Sequence, residues 1–190
     1  MRRAMAVFLL IAAAASVVAA RAKIEVQKDE KFDFATLKAW TWNPSGPGNV
    51  RVWLTAESKS EPVKRTYEPV IMKAVEDELG RRGLTPASGG PADFTVTYYV
   101  LITASTNSQE MGQFLPAVTQ FGVPAFAPAT TSLKIFPQGT LVLDVGSPDK
   151  DHVVWRAVAQ AEVDLDKTEA QRSARLQSLV RDMLAKLPRK

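Results

Sequence analysis

The chain contains no cysteine and a single histidine, and it has no long apolar run beyond its first 20 residues. The absence of cysteine excludes disulfide scaffolds, cysteine-based zinc sites, iron–sulfur clusters and a thiol nucleophile. A single histidine excludes any metal site built on a histidine pair. The 190 residues suit one domain, and the 46% hydrophobic content is ordinary for a globular chain.

The N-terminus has the three-part layout of a secretory signal peptide. Arg2 and Arg3 precede an uncharged apolar run over residues 4–20, and Ala20-Arg21-Ala22 follows as a small-x-small cleavage site. We expect residues 1–22 to be removed, with cleavage after Ala22 favoured over cleavage after Ala20. The alternative is an uncleaved anchor, since 17 apolar residues lie at the lower end of the range of about 17–25 that spans a bilayer.

These features predict a periplasmic protein with no transmembrane segment after signal cleavage. Lipid anchoring is not expected, because a bacterial lipoprotein carries its lipid on a cysteine and the chain has none. Removing Arg2, Arg3 and Arg21 from the 24 Lys and Arg leaves 21 basic residues against 20 acidic ones. The processed chain is therefore nearly neutral, and we do not expect a nucleic-acid partner.

Hydrophobic periodicity predicts the order of the structural elements. Alternation predicts short strands at 24–27, 39–42 and 51–54, a long strand at 93–103, and a hairpin of strands at 139–145 and 153–163. Helical spacing predicts a helix capped by Thr66 with Pro69 in its first turn, closed by Gly83. A final helix is predicted to begin with a capping box at Asp166, with Glu169 at its third position, and to stop at Pro188.

This order predicts one α+β domain over residues 23–190, folded as a two-layer sandwich. The sheet is expected to be mostly antiparallel, with both helices packed on one face. Alanines alternate along the strand at 153–163, which leaves room for the last helix to approach closely. The second face of the strand at 93–103 is mixed in polarity, so we expect it to be only partly covered.

The segment 104–137 is long, rich in proline and phenylalanine, and predicted to be a loop. Its apolar residues are candidates for contact with a ligand or partner: Phe114, Leu115, Phe121, Val123, Phe126 and Phe136. One interpretation is that they meet an envelope protein or a lipid surface. The other is that they fold back over the open sheet face, or that the segment is disordered.

Few residues are candidates for catalysis or metal binding. His152 lies beside a predicted turn, and no Gly-x-Ser-x-Gly elbow accompanies it, so a surface histidine is the favoured interpretation. Asp144, Asp149 and Asp151 cluster around the same turn and could hold Ca²⁺, but acids in a turn also set its geometry. We therefore expect no catalytic residue, no metal and no cofactor.

Several short motifs occur in a characteristic order. They are Asp33-Phe34-Ala35-Thr36-Leu37-Lys38-Ala39-Trp40-Thr41-Trp42, Leu79 with Gly83, Asp93-Phe94-Thr95-Val96-Thr97-Tyr98, Gly139-Thr140-Leu141-Val142-Leu143-Asp144, Val154-Trp155-Arg156, and Leu187-Pro188. In this order the chain resembles the bacterial envelope family catalogued as domain of unknown function 4136. The chain departs from it by lacking the lipoprotein cysteine of many members and by its long segment 104–137. The resemblance implies an exported α+β domain with no established reaction and no catalytic residues to transfer.

The leading hypothesis is a non-enzymatic periplasmic domain that binds an envelope protein partner. One alternative is a periplasmic protein that binds a lipid or small ligand between the sheet and the segment 104–137. The other is an exported hydrolase that uses scattered acids together with His152.

Overall fold

The computed structural model describes residues 22–54, 57–88, 90–103, 138–147 and 152–188. The strands are β1 (Lys23–Lys28), β2 (Ala39–Trp42), β3 (Gly48–Trp53), β4 (Thr85–Pro86), β5 (Phe94–Thr103), β6 (Gln138–Gly146) and β7 (Val153–Glu162). The helices are α1 (Ser60–Arg81) and α2 (Glu169–Leu184), and a short 3-10 turn covers Phe34–Thr36. The predicted α+β class is confirmed.

The seven strands form one mixed sheet in the order β1-β7-β6-β5-β2-β4, with β3 also paired to β5. The longest pairings, β5 with β6 and β6 with β7, are antiparallel, as is β1 with β7. The pairings of β2 and β3 with β5 are parallel, as is that of β2 with the two-residue β4. The expectation of a mostly antiparallel sheet is confirmed, although the parallel edge was not predicted.

Strands β2 and β3 lie end to end along the same side of β5. Trp42 is in register with Val96, and Gly48 is in register with Tyr98. The short loop between them, residues 43–47, is held by backbone hydrogen bonds, including one from the Tyr98 N–H to the Pro47 carbonyl. Gly48 is required here, since a Cβ at this position would lie 2.2 Å from the Tyr98 carbonyl oxygen.

The main core lies between one face of the sheet and the two helices. Its largest fully buried side chains include Trp155, Tyr98 and Phe94 from the sheet. The helices contribute Ile71, Val75 and Leu79 from α1 and Val180, Met183 and Leu184 from α2. Ala157 and Ala159 of β7 belong to the same cluster, as the alanine row predicted.

Helix α1 begins earlier than the sequence predicted. It starts at Ser60 rather than after Thr66, its N-cap Lys59 makes no side-chain capping bond, and Pro69 lies inside the helix. The proline in the first turn is Pro62, where a missing N–H costs nothing because that donor has no partner within the helix. The prediction of Thr66 as the cap was wrong because Pro69 was taken as the first-turn proline.

The C-terminus of α1 matches the prediction. Gly83 has φ of +78°, and the Leu84 N–H donates to the Leu79 carbonyl at 3.0 Å while the Gly83 N–H donates to the Gly80 carbonyl. This is a Schellman motif, in which a left-handed glycine lets the chain satisfy the last carbonyls of the helix.

Helix α2 begins with a capping box, but not at the predicted residues. The Thr168 hydroxyl accepts from the Gln171 N–H at 3.2 Å, and the Gln171 side chain accepts from the Thr168 N–H at 3.0 Å. The predicted box from Asp166 to Glu169 lies two residues too early. Thr168 with Gln171 satisfies the same rule. The first apolar residues of the helix fit both starting positions, so they do not show which one is used.

Candidate functional site

The six apolar residues proposed as contacts lie outside the described residues: Phe114, Leu115, Phe121, Val123, Phe126 and Phe136. Asp149 and Asp151 of the predicted turn cluster lie outside them as well. Within the described ranges, no group of three or more metal-ligating side chains converges.

Asp144, the third member of the predicted turn cluster, has a different role. It lies in β6 with only 4% of its surface exposed, and it pairs with Arg156 of β7, which is 3% exposed. The Arg156 Nε donates to Oδ1 and Nη2 donates to Oδ2, both at 2.7 Å, which is a bidentate pair. Asp144 is therefore half of a buried ion pair and not a turn residue.

Burial and pairing act in opposite directions on this carboxyl. Burial raises the pKa of Asp144, and the Arg156 guanidinium opposes that rise. The same contact raises the pKa of Arg156 against the effect of burial. Nearby on the sheet, burial raises the pKa of Tyr99 to about 12, with the negative charge of Asp144 adding to the rise.

The ion pair belongs to a polar row on the sheet face opposite the helices. The register places Thr97, Asp144, Arg156 and Gln27 side by side across β5, β6, β7 and β1. Gln27 Oε1 is buried and accepts no hydrogen bond in the described part of the chain. We call these four residues the polar row.

An apolar cluster lies next to the polar row on the same face. Leu101, Val142 and Val158 are buried there, and Tyr99 packs against them. On β5 this face is partly covered, as expected: Thr97, Leu101 and Thr103 are buried, whereas Thr95 and Tyr99 are half-buried. Towards β3 the face is more open: Asn49 and Arg51 are exposed, and Trp53 is 52% exposed.

The charged residues of the other motifs hold backbone in place. Asp93 accepts the N–H groups of Lys38 and Ala39 at 2.9 and 2.7 Å, which joins the start of β5 to the start of β2. The bond from Ala39, followed by that from Lys38, lowers the pKa of Asp93. Asp33 accepts the Ala35 N–H at 2.9 Å and caps the 3-10 turn.

The helix layer is tied to the sheet by polar contacts of aromatic side chains. The Tyr98 hydroxyl donates to Glu68 of α1, and burial together with this bond raises the pKa of Tyr98. Trp42 Nε1 donates to Glu76 at 3.4 Å. The Arg172 Nε of α2 donates to the Tyr67 hydroxyl at 2.9 Å, so the two helices are joined as well.

His152 lies just before β7 and is partly exposed. Its backbone carbonyl accepts the Ser147 N–H at 3.1 Å, which closes the described end of the β6–β7 hairpin. In the described part of the chain, the contact that the structure shows for His152 is this backbone hydrogen bond.

The two long edges of the sheet differ. At β3, the N–H groups of Val52 and Leu54 donate to the hydroxyls of Ser60 and Ser58 at 3.0 and 3.2 Å. At the other edge β1 pairs with β7 and with no other strand of the described ranges, and a surface groove of about 640 Å³ lies beside it. The groove is lined by residues of β1, by Glu30, and by Lys186 and Pro188, which follow α2.

The fold is thus a two-layer α+β domain whose motif residues build its sheet. The chain belongs to the family described as "Domain of unknown function (DUF4136)", which matches residues 24–189. No curated protein matches the sequence. Across the described residues, none of the helices is long and apolar enough to cross a membrane.

Solved structures resemble the chain at low sequence identity. A PDZ domain protein from Parabacteroides distasonis is 13% identical with a TM-score of 0.49, and the match covers 88% of this chain and 37% of that one. The chain therefore spans 37% of the length of that protein. The PelC dodecamer from Paraburkholderia phytofirmans is 11% identical with a TM-score of 0.42, covering 89% of this chain and 99% of that one. A variant of the same PelC gives 10% identity, a TM-score of 0.39, and coverage of 89% and 98%.

Sequence reasoning missed the pairing of Asp144 with Arg156. The signal was present: an aspartate ends an apolar strand run, and an arginine follows a tryptophan in the next strand. A charge of each sign within two buried neighbouring strands is an indication of a cross-strand ion pair, because a buried charge needs a partner. The twelve-residue separation in a hairpin brings the two into register.

Proposed function

We propose that the protein is an exported, non-enzymatic domain that binds an envelope protein in the periplasm. The observation that carries this proposal is the use of the motif side chains. Asp33 and Asp93 bind backbone N–H groups, and Asp144 and Arg156 bind each other. These charged groups stabilise a fold that displays surfaces, and the long edge at β1 and the open part of the sheet face at β3 are available for a partner.

The N-terminal layout supports export. Strand β1 begins at Lys23, the first residue after the favoured cleavage site, so removal of residues 1–22 leaves all strands of the sheet intact. The processed chain starts directly with an element of the fold.

The test of export is fractionation of cells that express the chain with a C-terminal tag, followed by intact mass measurement. We expect the protein in the periplasmic fraction, with a mass that corresponds to a chain starting at Lys23. Recovery of unprocessed protein in the cytoplasm would contradict the proposal.

The test of binding is crosslinking in intact cells and identification of the captured proteins. We expect one envelope protein to be enriched reproducibly over a control of similar size and charge. A parallel screen for esterase, glycosidase and phosphatase activity compares the wild type with His152→Ala. A wild-type activity that the substitution abolishes would favour the hydrolase hypothesis instead.

A further inference from the structure

We infer that the outer edge of β1, which no described strand pairs, binds an extended acidic segment of a partner protein as an additional strand, together with the groove beside it. This inference rests on the proposed binding function and names the surface and the chemistry of the partner. It follows from the hydrogen-bonding direction of β1, the lining of the groove and the charges around it.

The backbone of β1 presents hydrogen-bonding groups outward that no described residue pairs. Residues of an antiparallel pair alternate between facing the partner strand and facing away from it. The Asp29 N–H donates to the Val154 carbonyl on β7 at 2.8 Å, which continues the register of β1. By this alternation the backbone N–H and C=O groups of Glu25 and Gln27 point towards β7. Those of Ile24, Val26 and Lys28 point outward.

The residues with outward backbone groups are also those that line the groove. Ile24, Val26 and Lys28 contribute to its wall, together with Gln27, with Glu30, whose carboxylate is paired with Lys28, and with Lys186 and Pro188. An incoming strand would thus meet backbone groups and a partly apolar wall together. This is the arrangement used when a peptide adds a strand to a sheet, with backbone bonds giving affinity and side-chain contacts giving specificity.

The charges at the groove favour a carboxylate on the incoming segment. Lys186 follows the C-terminus of α2 and is exposed, and in the described ranges no carboxylate pairs with its ammonium group. Lys28 is paired with Glu30 at 3.1 Å, and both side chains are largely exposed, so that pair is weak and open to exchange. An acidic residue next to Lys186 would complement this end of the groove.

Gln27 gives a further reason to expect an incoming strand. Its Oε1 is buried and accepts no bond among the described residues, although a buried acceptor without a donor is costly. In the polar row Gln27 has Arg156 on one side. On the other side lies the outer edge of β1, where the described part of the chain has no further strand. A strand added at this edge would place a donor beside it.

The opposite edge of the sheet shows what a closed edge looks like in this protein. At β3, Ser58 and Ser60 accept N–H groups that would otherwise be free to pair. The described residues provide no such acceptors or donors along β1. Lysines at both ends of β1 discourage pairing with an arbitrary apolar strand, which leaves an acidic one preferred.

The test is selection of short random peptides displayed on phage against the purified protein, in the form in which the cell accumulates it. We expect selected peptides to alternate apolar and other residues and to carry an acidic residue. Hydrogen exchange with a selected peptide bound is expected to slow at the N–H groups of Ile24, Val26 and Lys28.

Two substitutions then test the assignment with matched controls. Lys186→Glu is expected to weaken binding of the selected peptide about tenfold, and Lys59→Glu, the same charge change at the exposed position before α1, to leave it unchanged. Val26→Pro removes an outward N–H and is expected to weaken binding by at least about tenfold, while Val26→Ala retains the N–H and most of the binding. Thermal unfolding of each variant separates lost binding from lost folding.

Several outcomes would overturn the inference. They are selected peptides without acidic residues, binding unaffected by Lys186→Glu and Val26→Pro, or slowed exchange elsewhere in the sheet. A dimer that Val26→Pro converts to monomer would assign the edge to a second copy of the chain and also overturn it. If the envelope partner is captured equally well by both variants, the proposed function stands and the edge assignment fails. If peptides bind as expected but no envelope protein is captured, the proposed function fails and the edge assignment stands.

Discussion

At the scale of single residues, the pair of Asp144 and Arg156 is a buried charge contact in the centre of the sheet. Its bidentate geometry offsets the cost of removing two charges from water, and each member depends on the other. The pair also fixes the alignment of β6 with β7, since a one-residue slip of either strand would turn its charge to the helix-packed face, away from its partner. Asp144 and Arg156 are the last residues of two of the family motifs, so this ion pair joins the two motifs.

Breaking this pair from one side is expected to be costly. Asp144→Leu or Arg156→Met alone should lower the free energy of unfolding by about 3–5 kcal/mol, because the remaining charge stays buried without a partner. The double substitution should recover most of that loss. Urea denaturation measures each variant, and the exposed pair of Lys73 and Asp77 serves as control, where Lys73→Met should cost no more than about 0.5 kcal/mol. Equal losses at the two pairs would show that Asp144 and Arg156 are solvated.

Asp93 gives the stability of the protein a dependence on acid. Its pKa in the folded protein lies below the ordinary value of 3.8, since the ionised carboxylate accepts the N–H groups of Ala39 and Lys38. The stabilisation is therefore present above the unfolded value and is lost as the pH falls through 3.8 towards the folded value.

Asp93→Asn should reduce stability at neutral pH and flatten the loss of stability below pH 3.8, because the group that titrates there is gone. Urea midpoints measured across the acid range check this. Asp182→Asn, at an exposed position on α2, serves as the matched control. An unchanged acid profile in Asp93→Asn would mean that the two backbone bonds contribute nothing to folding.

At the scale of elements, the end-to-end arrangement of β2 and β3 depends on one glycine. Gly48 has the Tyr98 carbonyl and ring against the position that a Cβ would occupy, whereas Gly80 in α1 has nothing within 4 Å of it. Gly48→Ala should therefore destabilise by about 1–3 kcal/mol or more through overpacking. Gly80→Ala should stabilise by about 0.5–1 kcal/mol through the helix preference of alanine.

Thermal and urea unfolding of the two variants measure this difference. The same change of residue is expected to act with opposite sign, which excludes a general effect of replacing glycine. If Gly48→Ala unfolds at the wild-type midpoint, β3 does not approach Tyr98 as closely as the structure places it.

The elements also show which parts of the fold the sequence could predict. Helices, long strands and the α1 stop at Gly83 were predictable, because apolar periodicity and a left-handed glycine are local signals. The start of α1 was placed seven residues late, because its cap Lys59 makes no side-chain bond that a sequence pattern could reveal. The cap of α2 was placed two residues early, because Asp166 and Thr168 both satisfy the capping-box rule. The parallel pairing of β2 and β3 with β5 had no local signal, as it depends on contacts between distant parts of the chain.

At the scale of the whole molecule, the candidate surfaces were less predictable than the fold. Sequence reasoning placed contact residues in segment 104–137, outside the described residues, and those positions stay a prediction. The edge of β1 could not be assigned in advance, because which strand ends a sheet is set by the full topology. The unpaired Gln27 Oε1 likewise becomes visible only when the neighbouring strands are in place.

The start of β1 at Lys23 bears on how the chain would be processed. A signal peptidase needs the residues around the cleaved bond in an extended, accessible form, and Lys23 in the folded sheet is in register with Gln160 of β7. In the proposed export, cleavage after Ala22 would therefore have to precede the pairing of β1 with β7. Export would impose this order, because β7 would emerge from the membrane long after residue 22.

The small-x-small rule then makes a sharp prediction for single substitutions. Ala22→Phe should block cleavage at this bond or shift it to follow Ala20, because the position before the cleaved bond accepts only small side chains. Arg21→Phe places the same ring one residue earlier, where size is not restricted, and should be processed like the wild type. Intact masses of the accumulated proteins distinguish a start at Lys23, a start at Arg21 and an unprocessed chain. If Ala22→Phe still yields a chain that starts at Lys23, the small-x-small rule does not govern this cut, and if the wild type stays unprocessed, the assignment of residues 1–22 as a signal peptide is wrong.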